Sequence, residues 1–145
     1  MGPIKPSERL WRSVFREKRA RAVQDKRSNQ HGKLVFVEES AGTGISVDRY
    51  DFVSLDTATA QGDRIAVSVK DSKGVHGWAT VTHKAASGMA RSVTYTPTDD
   101  NIYHADIFLP EVDQDGWEDA ETHAIDLLLN CEWVPRLGDL PATAS

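Results

Sequence analysis

Sulfur is nearly absent from this 145-residue chain, whose one cysteine is Cys131. A lone thiol closes no intramolecular disulfide, so stability must come from an apolar core, and 145 residues are enough to bury one. Nothing in this cysteine usage asks for an oxidising compartment, which makes the cytoplasm the expected location. Long apolar runs are missing too. No stretch approaches the ~20 apolar residues of a membrane span, and no signal-peptide core follows the positive charge of the first thirty residues. A soluble protein with no membrane partner is expected. Familiar catalytic signatures are also wanting. Ser40, Ser46, Ser87 and Cys131 stand in no nucleophile-elbow or Cys-His context. The Gly-rich stretch A-G-T-G-I-S over 41–46 lacks the third glycine and the Lys-Ser/Thr ending of a phosphate cradle. No cofactor is expected, and no internal repeat is present.

What the chain does have is charge sorted by position. Residues 1–33 carry ten Lys/Arg against Glu8, Glu17 and Asp25, a balance of +7, while the other 112 residues sum to −12, giving the overall −5. One end is suited to meeting negative charge and the body would repel it.

The basic end reads as an amphipathic helix. Ser7 can cap it, and Leu10, Trp11, Val14 and Phe15 recur at helical spacing up to about Val23. Arg9, Arg12, Arg16, Arg19 and Lys26 form a second stripe about a third of a turn away, at ~100° per residue. The body then offers β-prone runs at 34–37 and 45–47, a short helix within 51–61, alternating strands over 64–70 and 76–83, and two more strands at 92–96 and 102–109. Near the end, Asp115 with Glu118 makes a capping box for a helix whose apolar face, from Trp117 through Leu127, Leu128 and Cys131 to Trp133, leaves little polar surface. Pro135 is expected to stop it, with a loose tail to Ser145. The fold class is therefore α+β: an antiparallel sheet packed against a C-terminal helix, with a projecting basic N-terminal helix. The division expected is a docking segment at 1–33, an acidic domain at 34–134 and a tail at 135–145.

Three constellations carry possible chemistry. The basic helix presents Arg9, Trp11, Arg12, Phe15, Arg16 and Arg19 to a partner, or else docks on the acidic body. The two aromatics favour a larger protein with an acidic or apolar groove, while residues 9–27 could also lie along nucleic-acid phosphates. The second is His104 with Asp106 on one strand face, a general base with its carboxylate or two ligands of a divalent metal, with Asp99 and Asp100 in the preceding turn. The third is His123, flanked on its helix by Asp119 and Asp126, which would complete a two-His, one-carboxylate set if it met the second. Such short spacings also occur as ordinary hydrogen-bonded pairs. The leading reading is an accessory or adaptor subunit without chemistry of its own. The alternatives are a metal-dependent hydrolase or nuclease using His104, Asp106 and His123, and a non-catalytic nucleic-acid-binding module.

Overall fold

A computed structural model describes residues 1–40, 42–110 and 117–141, with side chains for all of these but 117–119. Alternating apolar residues build six strands: β1 (Arg9–Val14), β2 (Ile45–Asp48), β3 (Gly77–Thr82), β4 (Ser92–Tyr95), β5 (His104–Phe108) and β6 (Glu132–Pro135). They form one antiparallel sheet in the order β4-β5-β2-β1-β3-β6. The helices are α1 (Glu17–Asp25), α2 (Leu55–Ala66), the single turn α3 (His83–Ala86) and α4 (Trp117–Asn130). The α+β class, the antiparallel sheet and the C-terminal helix all match the expectation. Among the described residues no helix is long and apolar enough to cross a membrane.

The front of the chain does not project as a helix. Residues 9–14 are a strand near the middle of the sheet, paired with β3 from Arg9 opposite Thr82 to Val14 opposite Gly77, and with β2 at Trp11 opposite Asp48. The boundary expected at residue 33 thus falls between parts of one sheet. The misreading has a geometric cause. Residues four apart share a face in a helix and in a strand alike, so the pairs Leu10/Val14 and Trp11/Phe15 fit either period. A helix would gather both pairs on one face, whereas a strand sends them to opposite sides. Leu10 and Val14 indeed join one core cluster, with Ile45, Val81, Ile107, Leu127 and Leu128. Trp11 joins the other, with Tyr50, Ala58, Val75 and Trp78, and Phe15 packs against it. Helices α1, α3 and α4 contribute to the first cluster and α2 to the second, so both sheet faces are covered.

Other departures follow the same logic. The run at 34–37 is no strand: a 3-10 turn at Gly32–Leu34 leads into it, Val35 and Phe36 are buried, and the carbonyls of Val35 and Val37 bond a guanidinium instead of a neighbouring strand. Residues 64–66 end α2, which begins at an N-cap where Ser54 accepts from the Thr57 N–H, and 67–70 turn away from it, with Val67 exposed and the Val69 N–H bonded to the Ala66 carbonyl. Helix α4 ends at Asn130, before Pro135, and the chain re-enters the sheet as β6. Just past it, Arg136 pairs with Asp63 at 2.7 and 2.9 Å, which ties the start of the tail to α2. The expected cap at Asp115 and the last residues, 142–145, lie outside the described residues.

Candidate functional site

Strands β1 and β2 are joined at Trp11 and Asp48, and beyond that pair no further β1–β2 register forms among the described residues. Arg12 fills the opening. Its guanidinium donates to the carbonyls of Ser46 at 2.8 Å, Val35 at 2.9 Å and Val37 at 3.4 Å. A charged side chain thereby satisfies backbone acceptors that a strand partner would otherwise take. At this opening lies a pocket of about 270 Å³. Arg12, Arg16, Arg19, Asp48, Asn101 and His104 line it, together with Ser13 and an apolar wall of Phe15, Val35, Ile65 and Val69.

The pocket is electropositive at one side. Burial, reinforced by Arg19, pulls the Arg12 pKa down to about 10, and burial followed by Arg16 lowers that of Arg19. Both shifts are the signature of cations that crowd one another in a partly dry space. Among the described residues Arg9, Arg21, Arg27, Arg49, Arg91 and Arg136 are each ion-paired to a carboxylate. Arg12, Arg16, Arg19 and Arg64 are not, and the first three share the pocket. Three partly buried guanidiniums that share one pocket and pair with no described carboxylate repel one another, and a bound anion would relieve that repulsion. Arg16 also stands at the N-cap of α1 without a side-chain cap bond, so the positive end of that helix borders the same space.

The opposite side is an acceptor surface. Asp48 is buried and receives a 2.7 Å bond from the Asn101 amide. Burial raises its pKa, with Asn101, His104 and Arg12 opposing the shift. Tyr50, buried beside it, has no hydrogen-bond partner of ordinary geometry among the described residues; burial and the Asp48 charge push its phenol upward. Across the sheet from Asp48 stands His104, whose Nδ1 lies 2.9 Å from the Thr96 hydroxyl and 3.1 Å from the Thr96 carbonyl. The Thr96 hydroxyl gives its only proton to Asp106 at 2.8 Å. Toward His104 it can then only accept, as the carbonyl can, so Nδ1 carries the proton that these bonds share. The Ser13 hydroxyl is shielded from solvent and lacks a hydrogen-bond partner among the described residues.

The sequence candidates divide. Arg12, Phe15, Arg16, Arg19 and His104, drawn from two separate constellations, meet in the pocket. Arg9 does not, since its side chain and backbone N–H both bond Asp51, and Trp11 is buried in the core with its indole N–H 2.9 Å from the same carboxylate. His104 and Asp106 are neighbours 3.8 Å apart, joined through Thr96, while Asp99 and Asp100 lie in an exposed turn. His123 does not reach them. It packs on the α4 side, where its Nδ1 accepts from Arg91 at 2.9 Å beside Asp126, whereas His104 alternates onto the other sheet face from Ala105 and Ile107. The three-residue metal set is therefore not assembled, and among the described residues no group of three His, Cys, Asp or Glu is placed to hold a metal ion. Sequence reasoning missed Ser13, Asp48 and Asn101. Only Asp48 carried a signal, a carboxylate ending the apolar alternation of Ile45 and Val47.

Comparison with known protein families, with curated proteins and with solved structures finds no match to this chain.

Proposed function

We propose that this protein is a small accessory binding module, without chemistry of its own, that captures an anionic group in the Arg12–Arg16–Arg19 pocket. The observation that carries the reading is the convergence there of three of the four arginines that pair with no described carboxylate, Arg64 being the fourth, while the other six are paired. The sequence's basic front thus supplies the lining of a receptor site in place of a projecting anchor. A buried, free Cys131 suits the reducing cytoplasm as the place where it acts.

Each charge-assisted hydrogen bond to the bound anion contributes about 1.5–3 kcal/mol. Calorimetric titration of the full chain with inorganic phosphate tests the reading: saturable one-site binding is expected, weakened about tenfold or more by Arg19→Met, since ~1.4 kcal/mol is a factor of ten. Failure of phosphate and of simple carboxylates alike to bind would remove it.

A further inference from the structure

The pocket has two chemically different ends, and its ligand must match both. We infer that the anion it takes is the phosphate of a ribose phosphate unit, as in a ribonucleoside monophosphate, with the phosphate at Arg12, Arg16 and Arg19 and the sugar hydroxyls at Asp48 and His104. The inference rests on the anion-binding reading above and gives it a substrate class.

The course of the chain orders the site. Strand β1 runs from Trp11, opposite Asp48, through Arg12 to its end at Val14, with Arg16 and Arg19 following at the start of α1, while His104 stands beside Asp48 on β5. Arg12 therefore stands between a purely cationic end and an end made of acceptors. Arg16 and Arg19 supply N–H donors in planar forks, and Arg12, whose Nε, Nη1 and Nη2 already donate to three backbone carbonyls, adds its charge and remaining Nη hydrogens, a set that suits the three terminal oxygens and double charge of a phosphate monoester better than the two oxygens of a carboxylate. At the other end the Asp48 carboxylate has one oxygen engaged by Asn101, and the His104 ring is held through Nδ1 at Thr96, which leaves Nε2 as its other polar atom. Acceptors in a half-dry pocket ask for donors from the ligand. Neighbouring hydroxyls on a sugar provide two donors at the spacing of adjacent side chains, and a carboxylate on a ribose diol is a recurrent solution to that problem. The wall between the ends is apolar, formed by Phe15, Ile65 and Val69, and offers a flat ring a surface to lie on. A volume of about 270 Å³ lies just under the usual range of ligand pockets, which favours a small ligand over a large one.

The test titrates the full chain with inorganic phosphate, ribose 5-phosphate, 2-deoxyribose 5-phosphate, the four ribonucleoside monophosphates and a short single-stranded RNA. Ribose 5-phosphate is expected to bind at least about tenfold more tightly than inorganic phosphate and than its deoxy analogue, which corresponds to ~1.4 kcal/mol for the lost hydroxyl contact. In Asp48→Ala, or in His104→Ala should the first fail to fold, the preference of ribose over deoxyribose should shrink toward one. Monophosphates binding as tightly as the RNA would assign the unit to a free nucleotide, and RNA binding more tightly would assign it to a chain, both carrying the same ribose phosphate recognition. Tight phosphate binding with no gain from the sugar would overturn the inference and leave the anion pocket standing. Absence of binding by every phosphate would overturn both.

Discussion

Glu8 and Arg49 form a two-pronged ion pair, Nε to Oε2 at 2.7 Å and Nη2 to Oε1 at 2.8 Å, with side chains only 5% and 1% exposed. The pair clamps the start of β1 to the corner after β2. The Arg49 guanidinium also lies 5.4 Å from the Phe52 ring and 4.8 Å from that of Tyr95. Removing one partner strands a buried charge. Glu8→Ala is expected to destabilise by ~3–5 kcal/mol in urea unfolding, and the double replacement Glu8→Leu with Arg49→Met by much less, because no charge is then left unpaired.

Deletion of residues 1–33 follows from the same geometry. It removes β1, which is hydrogen-bonded on both sides, and with it Leu10, Trp11 and Val14 from two core clusters. Differential scanning calorimetry of the truncated chain should show no cooperative transition. A sharp melt like that of the full chain would mean that the sheet closes without its central strand.

Gly62 poses a question of sign. In a helix interior Gly→Ala ordinarily gains about 1 kcal/mol. Here a Cβ would meet the Val75 Cγ1 at 2.6 Å, and Val75 is fully buried with its N–H held by Asp63 at 3.0 Å. Overpacking of this kind costs about 1–3 kcal/mol, so Gly62→Ala should lower the melting temperature. In a Val75→Ala background the same change should be neutral or stabilising, a coupling that a double-mutant cycle measures.

How much of this was legible in the sequence depends on periodicity. Strands β3, β4 and β5 were readable from their alternation, although the same alternation of Ile65, Val67 and Val69 misled at the end of α2, and α4 was readable because its three-four spacing has no strand counterpart. The strand β1 was not, since its apolar residues stand at offsets of one and four, which both periods accommodate. Part of the pocket was legible by residue type, in the clustered arginines and His104. Its assembly was not, because it depends on β1 and β2 parting after Trp11 and on β5 lying beside β2, long-range pairings that no local spacing encodes.

Asp48 gives the molecule a pH dependence of known sign. Burial raises its pKa above the ordinary value of 3.8, so the native state holds a proton that the unfolded chain has released. Stability from this group is therefore full below pH 3.8 and falls as pH rises through the native value. Asp48→Asn keeps an acceptor for the Asn101 amide and removes the buried charge. It should be more stable than the parent at neutral pH, with the difference closing toward acid, as urea titrations across that range would show.

Cys131 reports on opening of the core. The thiol is 2% exposed, and burial raises its pKa, the nearby Lys26 opposing only in part. Its reaction with a maleimide should be slow in the native protein and should accelerate in step with denaturant-induced unfolding.

The central claim is that three arginines share one anion. Its most direct measurement is an NMR titration with inorganic phosphate that follows the side-chain Nε–H signals of all the arginines. The account predicts saturable shifts at Arg12, Arg16 and Arg19 with one common dissociation constant, while the ion-paired Arg9, Arg21, Arg27 and Arg136 stay still. Shifts that grow without saturating, or that appear equally at the ion-paired arginines, would contradict it.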